Sequence, residues 1–178
     1  KPAKKNFENI KFPSLWKEIL HRKVSFYSDL GVGEKNQFEK DVNYFLETTN
    51  IIGVETEIDI EDKLLVAAGA VIPVFNFPEW TYDNLDEVII YPGLFNENFD
   101  TTGKGRYVSG MVGSGIMERK MILSKKSLHL GFNNKTDKKN VAIHEFIHLI
   151  DKADGAIDGI PKLLVNKEFA LPWLELIR

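Results

Sequence analysis

The chain has 178 residues, 43% of them hydrophobic and 11% aromatic, which is enough apolar material to bury the core of one full domain. A net charge of −3 and an isoelectric point near 5.9 leave no basic excess, so there is no electrostatic case for binding nucleic acid. Cysteine is absent, which excludes disulfides, thiolate ligands and a cysteine nucleophile and fits a cytoplasmic protein, and no apolar run reaches the roughly eighteen residues of a membrane span.

No initiator Met is present and Lys1, Lys4 and Lys5 stand near the start, so an upstream segment carrying an anchor or signal stays open. Residues 1–12 read as an irregular lead-in. A helix is expected from Pro13-Ser14, since proline suits a first helical turn, with Leu15, Trp16, Ile19 and Leu20 as its apolar stripe. A second is expected from about Gly33 to Thr49, where Phe38, Val42, Phe45 and Leu46 recur at helical spacing. Glu55 to Ile60 alternates polar and apolar residues and reads as a short strand. Leu64 to Ile72 reads as a buried helix ending near Pro73, and its Ala67-Ala68-Gly69-Ala70 run suits close approach of backbones.

Asp86 to Tyr91 is a β-branched run closed by Pro92-Gly93, the pattern of a strand and turn. Gly103, Gly105, Gly110, Gly113 and Gly115 space out the next segment. They match neither GxGxxG nor GxxxxGK[ST], so they read as loop or hairpin glycines and imply no nucleotide site. Lys120 to Ser124 and Ser127 to Phe132 read as strands leading through residues 133–137 to a further helix, with Thr136 or Asp137 as its cap. A strand so near that helix is a candidate edge for binding an extended peptide.

That helix carries the chemistry. Residues 144–148 read His144-Glu145-Phe146-Ile147-His148, the HExxH pattern. Side chains four apart on a helix stand one above the other, so both imidazoles can meet one metal ion while Glu145 flanks it. Imidazole nitrogen is a good Zn²⁺ ligand, and a carboxylate beside the attacking water can take its proton, which is the chemistry of peptide hydrolysis. Val141, Ile143, Phe146, Ile147 and Ile150 are expected to surround this polar row with core-facing surface.

Catalytic zinc usually takes three protein ligands and a water. In the extended pattern HExxHxxGxxH, the glycine and the third ligand fall on Asp151 and Asp154; without glycine at 151 the required turn is less natural, but Asp154 stays a candidate ligand. Asp151 reads either as a carboxylate that holds an imidazole tautomer or as a solvated group in the last helical turn. His129 and His21 are the remaining histidines. Gly155, Gly159 and Pro161 end the helix, and Glu168, Trp173 and Glu175 fall in an expected final helix that stops at Arg178.

Trp16, the Ala-rich segment from Leu64 to Val74, Val88 to Pro92 followed by Phe95, Gly115 with Met121 to Ser124, and Asn140 to Asp151 together resemble the Mlc titration factor A family. Gly155, Asp158-Gly159, Pro161 and Trp173 continue the match, which runs from about Phe12 and is most specific around HExxH. The resemblance implies a zinc-dependent peptidase with aminopeptidase activity and an α+β, zincin-like fold similar to lethal-factor-type catalytic domains, its HExxH helix packed on a small mixed sheet. One domain over residues 1–178 is expected. The resemblance also implies that His144 and His148 bind Zn²⁺, that Glu145 is the catalytic glutamate, and that some members bind the transcriptional repressor Mlc. A non-catalytic module sequestering such a regulator is the alternative function. The family's third ligand is a Glu on a later helix that would fall beyond Arg178, so the sequence is expected to be truncated there or to complete its site differently.

Overall fold

The computed structural model describes residues 1, 2, 4, 11–77, 79–133 and 139–153, apart from the side chain of residue 116. Helices α1 (Ser14–Lys23), α2 (Ser25–Asp29) and α3 (Val32–Thr48) come first, followed by strand β1 (Asn50–Gly53) and helix α4 (Ile60–Val71). Strands β2 (Glu87–Tyr91), β3 (Gly110–Val112) and β4 (Lys120–Ser124) follow, then helices α5 (Lys125–Asn133) and α6 (Val141–Lys152). The sheet order is β1-β2-β4-β3, with β1, β2 and β4 parallel and β3 antiparallel to β4 at one edge.

The central strands read as unbroken apolar runs because both faces of the sheet are covered. Val88, Ile90, Met121 and Leu123 pack into the helical core, while Ile89 and Ile122 point the other way against Phe95. The second face is covered by the long β2 to β3 excursion, tied across itself by reciprocal backbone bonds between Phe95 and Val108 at 3.1 and 2.9 Å. The result is α+β with a small mixed sheet, as expected. No helix among the described residues is long and apolar enough to cross a membrane.

Three local expectations are corrected. Glu55 to Ile60 is not a strand: Glu55 has φ 58°, outside the β region, and Asp59 caps α4 at Ile60, so the strand is the preceding Asn50–Gly53. Ser127 to Phe132 is helical. Ser124 Oγ accepts the Ser127 N–H at 3.2 Å, and the buried pair Leu128 and Phe132 is spaced by four, while the intervening Leu130 is exposed. The cap of α6 is Asn140, whose Oδ1 accepts the Ile143 N–H at 3.2 Å, in place of Thr136 or Asp137, which lie outside the described residues.

Two contacts place α6. A Cβ on Gly69 of α4 would stand 2.7 Å from the Cβ of Ala142, so these two small residues let the helices cross closely. Behind them, α5 is fastened to α4 through Asp62, which is 0% exposed. Its carboxylate takes His129 Nε2 at 2.7 Å and Lys125 Nζ at 2.9 Å, and also accepts the Asp59 N–H at 2.8 Å. Burial pushes the Asp62 carboxyl up, but the bonds from His129, Lys125 and the Asp59 amide outweigh it and hold it below the usual range.

A carboxyl depressed on folding contributes stability above its unfolded pKa and loses it as pH falls through the folded value. Asp62→Asn is therefore expected to cost about 2 kcal/mol at neutral pH, the scale of hydrogen bonds to a charged group. The gap from wild type should close below about pH 4, as urea unfolding midpoints at neutral and acid pH would read. A gap that persists unchanged in acid would show that the charge is not what holds α5.

Candidate active site on helix α6

Helix α6 buries Ala142, Phe146, Leu149 and Ile150 as its core stripe, with Val141, Ile143 and Ile147 half-buried at its margins. Phe146 meets Phe45 of α3 edge-on at 5.5 Å and Tyr82 at 5.1 Å. At the other end Asn84 Nδ2 donates to the Leu149 carbonyl at 2.8 Å, occupying one of the acceptors a helix C-terminus leaves open. The helix is thus pinned on its core face and at both ends, and the opposite face carries His144 and His148.

Those two side chains are exposed, and their rings stand T-shaped with centroids 4.5 Å apart. Their Nε2 atoms approach to 3.0 Å. Two nitrogens at about 2.0–2.1 Å from a tetrahedral zinc lie about 3.3 Å apart, so the pair can take one such cation with a small ring adjustment. Burial holds the His148 pKa below the usual imidazole range, helped by the His144 and Lys152 charges and opposed by Asp151. A neutral imidazole at neutral pH keeps the lone pair that a metal needs.

Glu145 faces a different environment from its neighbours. It is only 7% exposed and lies against Gly110 of β3, with the Val112 amide close enough to favour its charged form. Burial pushes its pKa up to about 7, against the lowering effects of Lys152 and the Val112 amide. A carboxyl poised there exchanges protons near neutral pH, as a general base requires. Asp151, three residues past His148, is buried, and its charge acts on that imidazole.

The other residues singled out from sequence do not join this group. His129 is on α5, bound to Asp62 and 3.6 Å from Glu61, and His21 is on α1. Among the described residues no group of three or more His, Cys, Asp or Glu side chains gathers to hold a metal. Asp154, Asp158, Glu168 and Glu175 lie outside the described residues. The expected peptide edge also moves: β4 is flanked on both sides and 127–132 is helical, so among the described residues the sheet edge beside α6 is β3. Neither β3 nor its contact with Glu145 is expected from the sequence, which shows Gly110 and Gly113 only as loop or hairpin glycines.

The profile of the family described as glucose-regulated metallo-peptidase M90 matches residues 1–178. An uncharacterized protein of Synechocystis sp. (strain ATCC 27184 / PCC 6803 / Kazusa), slr2042, is 29% identical over 157 residues, covering 85% of this chain and 57% of that relative. The chain therefore spans little more than half the length of this relative.

Proposed function

The chain belongs to the glucose-regulated M90 metallopeptidase family, whose chemistry calls for a metal ion and peptide substrates, and from that premise we propose a zinc-dependent peptidase built on α6. In this reading His144 and His148 hold the zinc and Glu145 is the general base. The observation that carries it is the convergence of two Nε2 atoms to 3.0 Å, one helical turn apart, on the exposed side of a pinned helix. A zinc ion bound there would polarise the scissile carbonyl and acidify the attacking water. Glu145 takes the proton from that water and returns it to the leaving amine nitrogen, a shuttle suited to a carboxyl whose proton affinity is raised by burial. His144 and His148 would hold the ion through their Nε2 atoms, and Asp151, whose charge acts on His148, would favour the positive character that ligation gives that ring. The third ligand comes from outside the described residues. The aminopeptidase activity implied by the sequence resemblance makes substrates with a free amino terminus the first to assay.

The test is metal content and turnover of the full-length protein. Zinc is expected to co-purify with wild type, chelation to abolish cleavage of aminoacyl chromogenic substrates, and added zinc to restore it. His144→Ala and His148→Ala should lose both metal and turnover. A wild type that holds no zinc and cleaves nothing, yet captures a repressor of the Mlc type, would instead support the binding-module alternative.

A further inference from the structure

We propose that Gly110 and the backbone amide of Val112 form a seat on β3 that positions the Glu145 carboxylate, making Gly110 a positioning residue for the hydrolysis assigned above. The inference rests on the reading of Glu145 as general base and extends it to a strand with no side-chain chemistry of its own.

The register of β3 supplies the first part. Ser124 N–H donates to Ser109 O at 2.8 Å and Gly113 N–H to Lys120 O at 2.9 Å, with Met111 opposite Ile122. Residues 109, 111 and 113 therefore turn their backbone groups toward β4, and 110 and 112 turn theirs to the opposite edge. An outward amide on an edge strand has no ladder partner and is available to another group. The Val112 amide lies near enough to the Glu145 carboxylate to favour its charged form.

Space supplies the second. A Cβ built on Gly110 would lie 2.7 Å from Val141 Cγ2, 2.8 Å from Glu145 Cγ and 3.0 Å from Glu145 Oε1. Real Cβ atoms do not approach other atoms that closely, so something must shift. Gly110 is not among the glycines with positive φ, so backbone freedom does not explain it; close approach does. Val141 is β-branched and stiff at χ1, whereas Glu145 has several rotatable bonds. Any side chain at 110 therefore displaces Glu145 from its seat before it displaces Val141.

Gly110→Ala in the full-length, zinc-loaded protein tests this. Misplacing a reacting group by about 1 Å costs up to about 100-fold, so kcat is expected to fall about 10- to 100-fold with KM and zinc content near wild type. In a Glu145→Gln background the same substitution should add no further loss, because two changes acting through one group are not additive. A merely structural role would multiply the two losses. Val112→Pro approaches the seat from the other side: it removes the outward N–H without breaking a bond to β4, and should lower kcat similarly. It also carries the test if Gly110→Ala does not accumulate as folded protein. Wild-type kcat in Gly110→Ala, or losses that multiply with Glu145→Gln, would overturn the seat while leaving the base assignment intact. Unimpaired turnover in Glu145→Gln alone would instead remove the base assignment.

Discussion

Glu145→Gln is expected to lower kcat for peptide hydrolysis by about 10²- to 10⁴-fold, the usual contribution of a positioned general base, with zinc content unchanged. That range is about 3–5 kcal/mol of transition-state stabilisation. The substitution suits the question because the amide keeps the length and shape of the side chain and an acceptor oxygen, so only the capacity to take a proton is lost. Since burial penalises the ionised carboxylate, the neutral amide is also easier to bury. The chelated variant should accordingly unfold no earlier than chelated wild type, a separation of function from stability common at active sites. Retained turnover with full zinc occupancy would mean that the proton is carried by another group.

How far the site could be read from sequence depends on the range of the contacts that make it. Two imidazoles four residues apart are joined by one turn of one helix, so His144 and His148 were legible without tertiary information. The same holds for α3 and α4, whose apolar spacing is local, and for β2 and β4, whose β-branched and apolar runs are buried on both faces. Strand β3 was not legible: it is three residues long, begins at Gly110 and is followed by Gly113, and exists because β4, later in sequence, pairs with it. The carboxylate seat depends on that pairing and was hidden with it. The Ser127–Phe132 error has a different cause. Leu128, Leu130 and Phe132 alternate with polar or small residues as a strand would, and the helix wins because Ser124 caps it and Leu128 with Phe132 reach the core. A third ligand is not legible in the same way: among the described residues no His, Asp or Glu joins the histidine pair, and Asp154 lies outside them.

Phe146→Ala is expected to be the most damaging core substitution on α6, at about 3–5 kcal/mol, a large part of a typical domain's net stability. The ring is fully buried between the two histidines in sequence and faces away from them in space. It packs on Phe45 of α3 and on Tyr82, whose hydroxyl donates to the Ala70 carbonyl of α4 at 2.7 Å. Truncation therefore opens a cavity where three elements meet, and Gly69 against Ala142 sets α4 and α6 already so close that little collapse can fill it. Denaturant unfolding should show a lower midpoint with an unchanged slope, and the melting temperature should drop by about 10 °C or more. Phe146→Leu, which keeps most of the volume, should cost less than half as much. If the histidine pair owes its aim to this anchor, zinc affinity at temperatures where the variant is still folded should weaken in Phe146→Ala and hold in Phe146→Leu. Equal affinity in both would assign the aim to the end contacts of α6 at Asn140 and Asn84 instead.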